Sequence, residues 1–377
     1  MQDYKKRNRL IAVACAAVAL VCLFASEGVL RGAALLSAGI GMPQGAASLF
    51  APPPPRPAPR ETVADALIPT AAAKTAAGSA NPQSRDFDIT ATPADILLLM
   101  EEAQEEYTAQ TRDGDIVAKT YTNKDATHSW KKYSLNARNT TKTQSNRDLS
   151  KDLAAPLDLQ IDKSKPAVLI FHTHTTEGFE ILERPWYAAE WTSRTENGAK
   201  SVVRVGEAIA QMLERAGFQV IHDSTIYDRQ YTGAYDKSRA AVKRYLEEYP
   251  SIQVTLDIHR DAIHNNRGER IKPVADILGK QAAQVMIITG VEEGTVKGYP
   301  NWEQNLRFAA KLHAAAQTRC PGLMKPMFFC ARRYNMDLTP FSLLLEMGAD
   351  ANTLEEAVYS GRMMGETLGR LLEEYVN

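Results

Sequence analysis

Ala167-Val168-Leu169-Ile170-Phe171-His172-Thr173-His174-Thr175-Thr176-Glu177 joins an uncharged apolar run directly to a run of polar and ionisable residues. The apolar half reads as a strand buried on both faces, and the polar half begins where such a strand would end. Further apolar runs follow at Gln219-Val220-Ile221, Val254-Thr255-Leu256-Asp257-Ile258, Val285-Met286-Ile287-Ile288 and Ser342-Leu343-Leu344-Leu345. Helical patterns separate them. Val202, Val205, Ile209 and Leu213 share a face that should stop at Gly217, a natural residue just beyond a helix end. Asn301 is expected to cap a helix carrying Leu306, Phe308 and Leu312, and Thr353-Leu354-Glu355-Glu356 is a capping box opening a last helix through Leu368, Leu371 and Leu372. Strands alternating with helices predict an α/β fold with a mostly parallel sheet flanked by helices.

Outside this block the chain changes character. Lys5-Lys6-Arg7-Asn8-Arg9 precedes the uncharged run Leu10 to Ala25. At ~1.5 Å per residue, roughly 16 residues cover about 24 Å, short of a ~30 Å hydrocarbon core unless the flanking cations snorkel. With no small-x-small cleavage site after Ala25, an uncleaved single-pass membrane anchor is favoured over a signal peptide, its basic flank cytoplasmic and the bulk of the chain extracytoplasmic. Ala33 to Arg85 is rich in Ala, Pro, Gly and Ser around Pro52-Pro53-Pro54-Pro55, a composition that cannot bury a core and reads as a disordered stalk. Thr92-Pro93-Ala94-Asp95 looks like a helix start before Ile96 to Met100, whereas Asp113 to Asp152 is polar and weakly periodic. The expected organisation is 1–32 basic flank and anchor, 33–86 linker, 87–155 a small N-terminal region and 156–377 the catalytic domain.

The 377 residues carry 44 Lys and Arg against 45 Asp and Glu, so no field of one sign points to nucleic acid as a partner. Four cysteines exclude a disulfide-built scaffold. Two of them, Cys15 and Cys22, lie in the apolar run; Cys320 and Cys330 could pair in an oxidising exterior or remain free. No pair of Cys-x-x-Cys motifs is present, so a metal would have to use His and carboxylates, and no Gly-x-Ser-x-Gly elbow or glycine-rich phosphate loop offers another chemistry.

Three polar clusters end predicted strands: His172 to Glu177, His259-Arg260-Asp261 and Glu346-Met347-Gly348. At the carboxyl edge of a parallel sheet such ends converge over one crevice. His174 and Glu177, three residues apart, can meet one ion, with His259 as a third ligand. Two His and one Glu leave a fourth position open, as in a catalytic rather than a structural Zn2+ site. Glu346 would then be the general base. His172 and His174 project to the same side of an extended segment, so either can reach the ion with the other behind it; the spacing to Glu177 favours His174. Arg260 and Arg333 could neutralise Glu346 or bind a substrate carboxylate. A lone His is more often structural than a ligand, so His128, His222, His264 and His313 are read as ordinary polar residues.

Val168 to Glu177, Val203-Arg204-Val205-Gly206, Asp257-Ile258-His259-Arg260-Asp261-Ala262, Asn301-Trp302-Glu303-Gln304-Asn305-Leu306 and Leu345-Glu346-Met347-Gly348-Ala349-Asp350-Ala351-Asn352-Thr353 together resemble the stage II sporulation protein P family, from about Pro166 to the C-terminus. The resemblance implies an amidase or zinc-exopeptidase-like fold and a zinc-dependent N-acetylmuramoyl-L-alanine amidase that cuts stem peptides from peptidoglycan, with an endopeptidase activity on cross-links. It further implies action in engulfment during sporulation, alongside stage II sporulation proteins D and M. His172 or His174, His259 and Glu346 are its implied functional positions. Related amidases place a zinc-binding Glu at the start of the helix after the first motif; here that region reads Arg194-Thr195-Glu196-Asn197-Gly198-Ala199, which makes Glu196 a second candidate beside Glu177. Two other readings compete: a carboxypeptidase-like or deacylase-like zinc hydrolase, and a non-catalytic anchored scaffold for wall enzymes.

Overall fold

The computed structural model describes residues 87–190 and 192–377. The anchor at 1–32 and the linker at 33–86 lie outside the described residues. Among the described residues no helix is long and apolar enough to cross a membrane.

Helix α1 (Ala94–Thr108) leads into strands β1 (Arg112–Lys119), β2 (His128–Trp130) and β3 (Leu135–Asn139) and the short helix α2 (Leu149–Ala154). There follow β4 (Pro166–Phe171), β5 (Trp186–Ala188), α3 (Val202–Arg215), β6 (Gln219–His222), α4 (Ala234–Glu248) and β7 (Val254–Asp261). The chain ends with β8 (Arg270–Ile277), β9 (Lys280–Ala283), β10 (Val285–Gly290), α5 (Trp302–Arg319), β11 (Met327–Cys330), β12 (Ser342–Ala349) and α6 (Leu354–Glu373).

An eight-stranded sheet runs β2-β3-β11-β10-β12-β7-β4-β6. Its pairs are parallel except β2 with β3 and β10 with β12, so the mostly parallel architecture holds. The alternation along β4 shows why its sequence is apolar throughout. Val168 and Ile170 join the large core that includes Val205, Ile209 and Leu213 of α3. Leu169 and Phe171 face the other way, with Ile221, Ile252 and Val242 of α4. A strand covered on both faces has no place for polar side chains.

The predicted helix ends are mostly found as expected. Gly217, at φ +86°, closes α3, with Phe218 N–H donating to Leu213 O at 3.0 Å and Gly217 N–H to Glu214 O at 2.9 Å. Thr353 and Glu356 make the reciprocal capping box of α6. Asn301 is a correction. It occupies the capping position of α5 without capping, because its amide donates to Met336 O and Thr339 O and so ties the helix start to the 331–340 loop.

Residues 87–155 differ from the small region expected of them, since their strands are shared with the rest of the chain. β3 pairs in parallel with β11, and β1 enters a second sheet of order β5-β1-β8-β9. Ile96, Leu135 and Leu149 lie in the same core as β4, β7 and β12. Cys320 and Cys330 are both free thiols, the latter buried.

Candidate functional site

The three polar segments converge because β12, β7 and β4 are neighbouring parallel strands. On β7, Val254, Leu256 and Ile258 face the main core, which turns Asp257 and His259 to the opposite face. On β12, Leu343, Leu345 and Met347 do the same and turn Glu346 with them. The register places Glu346 directly beside His259. Just beyond Glu346 the register shifts at Gly348, whose φ of +82° and contact with Asn352 leave no room for a side chain.

Past Phe171 the chain leaves β4 and its polar residues enter a buried turn. Glu177 Oε2 lies 3.4 Å from His259 Nδ1 and accepts the Arg260 N–H at 3.1 Å. His174 stands edge-on to His259, ring centroids 5.3 Å apart, and is stacked on Tyr231 at 4.5 Å with 5° between the planes. Tyr235 closes the pocket, edge-on to His174 and stacked over His259. Arg194 links Thr176 and Asp228, with Nη1 to Asp228 Oδ2 at 2.5 Å, and its guanidinium lies over the Tyr231 ring.

The other sequence candidates fall elsewhere. His172 does not share the side of His174: its Nδ1 faces Ile258 O at 3.1 Å and its Nε2 faces His222 Nε2 at 2.9 Å, so both ring nitrogens are engaged. The same-side expectation fails because β4 ends at Phe171 and strand alternation ends with it. Glu196 is exposed and paired with Arg229, whereas Glu177 is buried against His259. Arg260 is a brace, donating to the carbonyls of Gly178 and Ser193. Arg333 is half-exposed beside Asp337. The cation near Glu346 is Lys325, paired with Asp261 at 3.1 Å.

Burial sets the electrostatics. It acts first to raise the Glu177 carboxyl, but His259 and then Arg260 outweigh it and hold the group well below the usual carboxylate range. Burial would depress His259; the carboxylates of Asp257 and Glu177 hold it well above its ordinary value instead. Burial pulls His174 down to about 4. For Glu346, burial and then the negative charge of Asp261 push the carboxyl up to about 8. Two groups at opposite ends of the scale in one pocket are the arrangement of an acid–base site.

As placed, no three His, Cys, Asp or Glu side chains among the described residues already enclose an ion. The donor chemistry nevertheless fits one. His174 Nδ1 and Glu346 Oε2 are sealed from solvent without a hydrogen-bond partner, each a cost of roughly 1–3 kcal/mol if left so. The 3.4 Å between Glu177 and His259 is close to the spacing of two donors in a tetrahedral site with ~2.1 Å bonds, about 3.4 Å.

Residues 86–369 match the family described as stage II sporulation protein P. The chain belongs to the stage II sporulation protein P family. It is 31% identical to the stage II sporulation protein P of Bacillus subtilis (strain 168) over 209 residues, covering 52% of this chain and 49% of that protein. The chain thus spans about half the length of the curated relative it matches. Among solved structures, the N-acetylmuramoyl-L-alanine amidase AmiC2 of Nostoc punctiforme is similar at 15% identity and a TM-score of 0.31, covering 57% of this chain and 98% of that one. An N-acetylmuramoyl-L-alanine amidase from Clostridium difficile 630 is similar at 15% identity and a TM-score of 0.34, covering 55% and 95%. At that distance these likenesses carry no weight for the activity of this family member.

Sequence reasoning passed over Asp257, Tyr231 and Tyr235. Asp257 was within reach of it, because a residue two before His259 on a strand must share its face. The two tyrosines come from around α4, whose polar sequence carries no sign of the pocket it covers.

Proposed function

We propose that this protein is a zinc-dependent peptidoglycan hydrolase, an N-acetylmuramoyl-L-alanine amidase, with His174, Glu177 and His259 holding the metal and Glu346 as general base. The observation that carries this reading is the pairing of Glu346 with His259 in one buried pocket, beside Glu177 and His174, whose Nδ1 makes no hydrogen bond and has Asp228 Oδ2 3.8 Å away. Family membership supports the wall substrate.

Bound zinc would supply Lewis acidity to the scissile carbonyl. The chain's own residues do the rest. Glu346, whose Oε2 is free of other bonds, takes a proton from the attacking water and returns it to the leaving nitrogen. Glu177 is held ionised by His259 and Arg260 and so remains a donor. Tyr231, partly exposed and flat against His174, walls the pocket from bulk water.

The same reading includes endopeptidase action on cross-links, a role in engulfment with stage II sporulation proteins D and M, and tethering through the apolar run Leu10 to Ala25 with the hydrolase outside the cell membrane. Purified full chain incubated with sacculi tests the activity. Lactoyl glycans free of stem peptide support an amidase. Shortened stems still attached to sugar point to a carboxypeptidase, and intact sacculi with every metal tried leave a scaffold.

A further inference from the structure

Asp257 is buried, two residues before His259 on the same face of β7. Its Oδ1 lies 2.9 Å from His259 Nε2, with the ring N–H turned off the ideal line, and accepts the Thr173 N–H at 2.8 Å. Its Oδ2 accepts the Thr173 hydroxyl at 2.6 Å. Thr173 spends its only hydroxyl proton there, and Ser238 Oγ, 2.8 Å away, has one proton to give, to Thr173 Oγ1 or to Tyr235 O at 3.2 Å. Asn335 Nδ2 in turn donates to Ser238 Oγ at 3.1 Å. Both Thr173 donors, the backbone N–H and the hydroxyl, therefore end on the Asp257 carboxylate.

A carboxylate that only accepts leaves one assignment for the imidazole beside it. His259 Nε2 carries a proton towards Asp257, which leaves Nδ1, the nitrogen facing Glu177, as the one that can turn to a metal. The geometry points to Asp257 as a positioning residue that fixes His259 to bind the metal through Nδ1, and that ties the turn carrying His174 to the strand carrying His259 through Thr173. This rests on the metal reading above. A carboxylate behind a metal-binding imidazole raises its basicity and holds its ring, and losing one typically costs 10–100-fold in metal affinity.

The test uses the full chain. Asp257→Asn keeps an acceptor for Thr173 N–H but removes the charge, and zinc affinity measured by chelator competition should fall about 10–100-fold. An affinity within twofold of the parent overturns the inference, since a merely structural role would lower the melting temperature alone. Should Asp257→Asn fail to fold, the unaltered protein decides. With 15N-labelled histidines and cadmium-113 bound, the His259 coupling should appear at Nδ1 with the proton on Nε2; coupling at Nε2 refutes the inference while leaving the metal reading intact. If the unaltered chain binds neither zinc nor cadmium, the metal reading falls first and this inference with it.

Discussion

Helix α6 carries Gly361, Gly365 and Gly369 at intervals of four, one stripe facing α3. A methyl group at Gly365 would lie 2.8 Å from the Ile209 carbonyl oxygen, 2.8 Å from Met212 Cβ and 3.0 Å from Ile209 Cα. Two of these atoms are backbone, so relief requires α3 to move, and α3 is packed on β4 and β7. Helix propensity alone favours Gly365→Ala by about 1 kcal/mol. Overpacking costs typically ~1–3 kcal/mol, and contacts this close to backbone belong in the upper part of that range, about 2–3 kcal/mol, so the net expectation is a loss of about 1–2 kcal/mol. At roughly 2–4 °C per kcal/mol for a domain of this order, the melting temperature should fall by about 2–8 °C. Gly369 is an internal control. Its methyl would meet Ala216 Cβ at 3.3 Å and Leu213 Cδ2 at 3.7 Å, side-chain atoms only, so Gly369→Ala should be neutral or stabilising by up to ~1 kcal/mol. Thermal unfolding of both variants decides. A Gly365→Ala protein as stable as its parent, or more so, would show that the helices are not held at this separation and refute the packing account.

Further outcomes are expected at the site and in the core. Glu346→Gln should retain zinc, measured by metal analysis, while losing at least about 10²-fold in turnover on sacculi; full activity would remove Glu346 as base. His259→Ala should lose metal and turnover together, and an unchanged zinc content would remove His259 from the ligand set. His313, buried on α5 against the Lys325 carbonyl, has its pKa lowered by burial from 6.5 to about 4. The unfolded chain protonates this group near pH 6.5 and the folded chain only near 4, so stability rises with pH across that window and is lost as pH falls through it. The gap is worth roughly 3 kcal/mol, and urea unfolding from pH 7 to 4 should show a shallower fall in a folded His313→Gln variant. A methyl at Gly206 would press on His172 and His222, 2.6 and 2.9 Å away, so Gly206→Ala should lower stability by about 1–3 kcal/mol; an unchanged melting temperature would show that the histidine pair yields.

The strands that organise the pocket were legible because they are central. β4, β7, β10 and β12 are buried along most of their length, so their sequences are apolar except at a few positions such as Asp257, His259 and Glu346 that face the pocket. The second sheet was not legible. β1 has Ile116 as its buried residue and leaves most others at least partly exposed, so nothing in its composition marks a strand. β8 contains Pro273 and Lys272, which read as loop or surface; Lys272 is in fact buried because Glu183 and Glu356 both meet its ammonium. Charges satisfied by distant partners cannot be told from solvated ones without the fold. At the site, the ligand types could be read from strand ends, but which imidazole faces the pocket depended on where β4 stops. The pairing of Glu346 with His259 depended on strand register, which neither segment encodes alone.

β12 lies in the middle of the large sheet, between β10 and β7, yet it comes last in sequence among that sheet's described strands. A nascent chain that has reached residue 341 owns every other strand and lacks the one that joins its two halves. Until then β7 and β10 present open edges to each other and to any neighbour, and Glu346, the proposed general base, has not been made. A chain cut short before Ser342 should therefore be a substrate for proteases, since closure of the sheet waits on the last of its strands.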